Sequence, residues 1–189
     1  AAVQPTFPDY GNATIVLLSR SSGEGADLPY GLEALQPYMT DGDYLQLCAE
    51  ERELLENLTR LKQEGVFKKI IVLLNSSSTL QLDFLDDYEI DALLWVGNLG
   101  LNGIPAVADI LAGKVNPSGR IVDTFQKDNH ASPAMQNYDA FAYVNAEELG
   151  LAEAQNNNDS GIDKCNMNYV VYQEGIYVGY KYYETRYED

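Results

Sequence analysis

Ala13-Thr-Ile-Val-Leu-Leu18 is an unbroken apolar run, partly β-branched. That is the pattern of a strand buried in a parallel sheet rather than one with a wet face. Residues 70–74 and 92–96 repeat it. Between the first two runs, residues 48–64 read as a helix with Leu54, Leu55, Leu58 and Leu61 on one face. Its acids come early (Glu50, Glu51, Glu53) and its bases late (Arg60, Lys62), in the sense the helix dipole favours, and Gly65 stops it. A short helix is expected near 80–87. A longer one starts at Asn102 as its cap, buries Ile104, Val107, Ala108 and Leu111, and ends at Gly113. Residues 121–125 read as a further short strand, and 169–183 as strand-like, with Tyr and Val alternating with Gly. Strands alternating with helices predict an α/β fold: a mostly parallel sheet with helices on both faces, a three-layer α/β sandwich. The expectation is one domain over 1–189, with a long irregular excursion near 126–168 around Asn156-Asn-Asn-Asp159.

Charge narrows the function classes. The chain has 12 Lys+Arg against 29 Asp+Glu, a formal charge of −17. A nucleic-acid partner needs a basic stripe, and none is visible. An anionic membrane surface would repel such a chain. Its longest apolar runs have about five residues, where a bilayer span needs roughly 20. Cys48 and Cys165 form neither a disulfide framework nor a CxxC zinc pair, and two reduced thiols tilt toward a cytoplasmic home. The opening Ala1-Ala2-Val3 has neither an initiator Met nor a signal sequence, and suggests a piece of something longer.

Candidate chemistry is sparse. Ser22-Gly-Glu-Gly25 places the carboxylate of Glu24 between two glycines just past the carboxyl end of the first strand. Ligands of open α/β sheets gather there, and flanking glycines permit close approach. With a raised pKa, such a group serves as a general acid; a solvated acidic turn is the commoner state. Gly97-Asn-Leu-Gly100-Leu-Asn-Gly103 joins a strand to a helix, but its GxxGxxG spacing is not the dinucleotide fingerprint, and tight turning explains it better. His130 is the only histidine, which mostly excludes a Ser-His-Asp relay and a multi-histidine metal site, and it lies in the polar stretch Asp128-Asn-His-Ala-Ser132, so it reads as a surface residue. The acidic pairs Asp86-Asp87, Glu50-Glu51 and Glu147-Glu148 lack calcium-loop spacing and read as solvated faces. No metal and no cofactor is expected. Seven tyrosines between 169 and 187 suit either sugar stacking or a half-buried strand.

Four stretches together resemble the smaller α/β sandwich domain of glycoside hydrolase family 3, the β-glucosidase and β-xylosidase family. They are Ser22-Gly-Glu-Gly-Ala-Asp27; Leu94-Trp-Val-Gly-Asn-Leu-Gly100 leading into 103–113; Asn116-Pro-Ser-Gly-Arg120 with Asp123-Thr-Phe125; and Tyr172-Gln-Glu-Gly-Ile-Tyr-Val-Gly-Tyr-Lys-Tyr-Tyr183. Their order and spacing cover nearly the whole chain from Ala13. The resemblance implies an active site shared between domains: a (β/α)8-like barrel gives an aspartate nucleophile, and the α/β domain gives the acid/base, here Glu24, with Asp27 a substrate-binding candidate. The implied substrate is a β-glucoside or related oligosaccharide, and the implied partner is the barrel.

The departures are equally informative. A barrel takes about 250 residues and does not fit beside this domain in 189. Trp95 follows Leu94, so the Asp-Trp pair common at the family's nucleophile is absent, and Gly97-Asn-Leu-Gly100 stands where many members have Pro-Gly-Gln. The tail is most similar to members whose α/β domain precedes the barrel, an order that would put the barrel after Asp189, but the resemblance leaves the domain order open. Two other readings stay open: a noncatalytic carbohydrate-binding or interaction module of the same fold, and a flavodoxin-like domain using the 97–103 turn.

Overall fold

A computed structural model describes residues 4–21, 43–136, 141–146, 148–149 and 168–186. The chain divides into two compact units, 1–128 and 129–189.

The first unit is built on a parallel sheet of three strands: β1 (Thr14–Ser19), β2 (Ile70–Asn75) and β3 (Ala92–Trp95), in the order β1-β2-β3. Thr14 pairs with Ile70 and Ser19 with Asn75, while Ile71 pairs with Ala92 and Leu74 with Trp95. In-register parallel pairing puts matched residues on one face. Val16, Leu18, Ile70, Val72 and Leu74 therefore form a single buried layer, with Leu93 and Trp95 packed against it. Helix α1 (Ala49–Gln63) lies in the β1–β2 crossover and adds Leu55 and Leu58 to this layer, joined by Leu47, Phe67, Leu80 and Phe84. This is the parallel α/β architecture that the apolar runs predict.

Details differ from the sequence expectation. On the second face of β1, Ile15 and Leu17 are 52% and 58% exposed. Leu54 is 45% exposed because the core-facing stripe of α1 centres on Leu55 and Leu58, leaving Leu54 at its margin. The 80–87 helix is a single 3₁₀ turn, Asp83–Leu85, that buries Phe84. The cap of helix α2 (Ile104–Leu111) falls one residue later than expected, at Gly103 rather than Asn102; Pro105 pre-sets the first turn, and Val107 alone of its residues is buried. Residues 121–125 form no strand, and Val122 is 86% exposed.

Asp91 ties three elements together. It accepts from Lys62 Nζ at 2.7 Å, Lys69 Nζ at 3.0 Å and the Ile70 N–H at 2.8 Å. These bonds outweigh its desolvation and hold the carboxyl well below the usual range.

In the second unit, β4 (Phe141–Ala142) pairs antiparallel with β5 (Asn168–Tyr169), and α3 (Pro133–Gln136) and α4 (Tyr180–Arg186) are short helices. The expected strand over 169–183 is thus mostly turn and helix. A repeat of Tyr and Val fits a strand locally, but tyrosines at 180, 182 and 183 are equally accommodated on a helix when each ring finds a neighbour, as Tyr182 and Tyr183 do at 5.1 Å. His130 is exposed.

Candidate functional site

The three strands run the same way, so their carboxyl ends lie along one edge of the sheet. Each is followed by a differently built connection.

After β3, the turn over 97–103 requires its glycines. Gly97 and Gly100 have φ of +53° and +62°. At Gly103 the reason is space: an added Cβ would stand 2.4 Å from the Leu99 carbonyl oxygen. Trp95, at the end of β3, donates from Nε1 to the Ser76 carbonyl at 2.7 Å and meets Phe125 edge-on at 6.1 Å. Beside this strand lies an open cavity of about 760 Å³, lined among others by Leu94, Trp95, Val107, Ile110 and Arg120. Its walls are mostly apolar, with Asn116, Ser118 and Arg120 as polar members, and none of its described lining residues is a carboxylate.

After β1, the chain enters a polar node. Arg20 is 8% exposed. Its Nε donates to the Tyr44 carbonyl at 2.6 Å. One terminal nitrogen donates to the Ser19 carbonyl at 2.8 Å and to Glu51 Oε1 at 2.7 Å; the other donates to the Gln46 carbonyl at 2.6 Å and to Glu51 Oε2 at 2.7 Å. All five guanidinium donors are used, which is what lets a charge stay buried. The Tyr44 ring lies 5.8 Å from the guanidinium carbon. Its hydroxyl donates to the Ser21 carbonyl at 2.6 Å and accepts from the Ser21 N–H at 2.7 Å.

Glu51 belongs to the first turn of α1 and also accepts from the N–H of Cys48, the N-cap residue, at 3.0 Å. Burial raises its pKa, but the Arg20 bonds and charge together with the Cys48 bond win, and the net shift is downward. Glu51 is therefore not the solvated surface acid that the Glu50-Glu51 pair suggests. Cys48 carries a free, buried thiol whose pKa burial pushes up, which leaves it a poor nucleophile.

Glu24 and Asp27 lie outside the described residues, as does Cys165. What the structure gives is the frame on either side of them. Ser21 stands three residues before Glu24, and Asp43 and Tyr44 follow the segment. The node joining these flanks was missed in the sequence because it brings together residues 23–31 positions apart. Two signals were available: an arginine directly after an apolar strand, and a Glu three residues into a helix, where a capping box forms.

The fold and this edge define an α/β sheet domain with a long connection anchored at the carboxyl end of its first strand. Residues 7–180 match the family model described as the glycosyl hydrolase family 3 C-terminal domain, and the chain belongs to that family. It is 28% identical to β-glucosidase A of Butyrivibrio fibrisolvens over 93% of its length, covering 19% of that protein. It is 25% identical to a β-glucosidase of Ruminococcus albus over 92% of its length, covering 14%. Against an exo-α-(1→6)-L-arabinopyranosidase of Bifidobacterium breve the identity is 29% over 81% of the chain and 16% of the relative. The chain thus spans about a fifth or less of these curated relatives.

Proposed function

We propose that this chain supplies the acid/base to a retaining β-glycosidase, most simply a β-glucosidase, and that Glu24 is that group. The nucleophile, an aspartate, then comes from a (β/α)8-like barrel that is not among these 189 residues. In this reading, Glu24 protonates the departing oxygen as the nucleophile forms a glycosyl-enzyme, and afterwards takes a proton from the attacking water. Retention calls for two carboxyls only about 5–5.5 Å apart, so Glu24 must stand over the barrel's sugar pocket. Asp27, three residues on, is the candidate for a hydrogen bond to the sugar.

The observation that carries this reading is the anchoring of Ser21 at the carboxyl end of β1, in a chain of family 3. That edge is where open α/β sheets place ligands, and in the sequence the Gly-Glu-Gly motif begins two residues after Ser21. Two of the three relatives above are named β-glucosidases, which favours glucose as the sugar. We also read both compact units as one functional domain, since the family match runs across the boundary at Asp128.

The test is Glu24→Ala in the enzyme joined to its barrel. General acid catalysis contributes ~100- to 10,000-fold and matters most when the leaving oxygen is basic. Cellobiose hydrolysis should fall by that order, activated aryl glucosides should lose far less, and azide should restore their turnover. Equal losses on every substrate, without azide rescue, would refute the assignment.

A further inference from the structure

In the second unit an open cavity of about 250 Å³ takes its lining chiefly from two pieces of chain: the turn holding Glu174 and Tyr177, and the part of α4 holding Tyr182 and Arg186. The turn is closed by the Tyr177 N–H, which donates to the Glu174 carbonyl at 2.9 Å. Tyr182 and Arg186 stand four apart on a helix and so share a face. The Arg186 guanidinium carbon lies 5.6 Å from the centre of the Tyr182 ring. Tyr182 is fixed twice over: its hydroxyl donates to the Ala131 carbonyl at 3.2 Å, and its ring meets Tyr183 edge-on. The cavity is smaller than the roughly 300–1,000 Å³ that drug-sized ligands fill, which suits a single ring.

Glu174 marks this cavity as a place for a ligand. Its Oε2 is buried and makes no hydrogen bond. An acceptor withdrawn from water without a donor is costly, and native folds keep few of them. A ligand hydroxyl supplies that donor. The rest of the lining narrows the class. Tyr177 is 47% exposed, so its ring is open to stacking against the C–H face of a sugar. A carboxylate only accepts and a guanidinium only donates, so Glu174 and Arg186 together suit hydroxyls, which do both. One acid and one base give these two groups no net charge, and a chain of formal charge −17 repels anions. A neutral pyranose meets all of these conditions.

We propose that the cavity formed by the 174–177 turn and α4 is a sugar-binding site, which takes one neutral pyranose unit of an oligosaccharide on the Tyr177 ring with its hydroxyls bonded to Glu174 and Arg186. The site stands independently of the role given to Glu24.

The experiment titrates the 189-residue chain with cellobiose, read by saturation-transfer NMR, with near-UV circular dichroism to establish that each variant is folded. Binding should saturate with a Kd in the millimolar range, as befits one ring in an open cavity. Glu174→Gln removes the charged acceptor and should weaken binding about 10-fold. Tyr177→Ala removes the stacking face and should weaken it by a similar factor, whereas Tyr177→Phe keeps that face and should stay within about 2-fold. No saturable binding up to about 50 mM by the folded chain would overturn the proposal. So would an affinity left unchanged by Glu174→Gln or by Tyr177→Ala, which would put the sugar elsewhere on the chain. Should Tyr177→Ala fail to fold, Glu174→Gln keeps the shape of its side chain and decides the matter alone.

Discussion

Arg20 and Glu51 meet through two parallel bonds of 2.7 Å, joining the end of the first strand to the first turn of the helix that covers it. The side chains are only 5% and 19% exposed, so the pair sits largely out of water. Removing one partner of such a pair strands the other charge, at a cost of about 3–5 kcal/mol. Glu51→Gln and Arg20→Met should each lower the thermal midpoint markedly. The double variant should recover a large part of the loss, because no lone charge remains. Melts followed through Trp95, the single tryptophan, measure this; additive losses would mean that the two side chains act independently.

Acid should destabilise the fold through Glu51 and Asp91. Both carboxyls titrate lower in the folded chain than unfolded, where ordinary values are about 4.3 and 3.9. The unfolded state therefore binds more protons across that interval, and stability rises with pH there. Their contribution is complete above the unfolded values and is lost as pH falls through the folded ones. Urea midpoints should hold steady between about pH 5 and 7 on their account, then drop below about pH 4. Asp91→Asn should lower stability at pH 7 and flatten the acid slope, and an unchanged slope would remove Asp91 from the linkage.

Gly103 has a steric requirement that a polar turn residue does not meet. Gly103→Ala brings a methyl against the Leu99 carbonyl, which is backbone and yields poorly. A loss of about 2 kcal/mol or more in urea unfolding is expected, against about 1 kcal/mol for an alanine at Gly65, where nothing crowds the added methyl and only the positive φ resists. Equal costs at both sites would contradict the close approach.

What the sequence revealed follows from the range of each interaction. Runs such as 70–74 identify their strands because every residue in them is apolar, and α1 announces itself by leucine spacing, early acids and Gly65. The Gly97 and Gly100 conformations are likewise local and were legible as tight turning. Residues 121–125 have strand composition, yet pairing needs a free edge in the right place, which composition does not encode. The tail misleads for a similar reason, since tyrosine suits any half-buried surface. Arg20, Tyr44 and Glu51 meet only after β1 and α1 have packed, so the node that frames the proposed site was invisible from spacing alone.

The central claim is that these 189 residues hold the acid/base half of a two-part active site. Aryl β-glucoside hydrolysis by the purified chain alone tests it most directly. With no nucleophile, the rate should equal the uncatalysed background, and Glu24→Gln should make no difference. Turnover above background that Glu24→Gln abolishes would show a complete site within this chain and contradict the account.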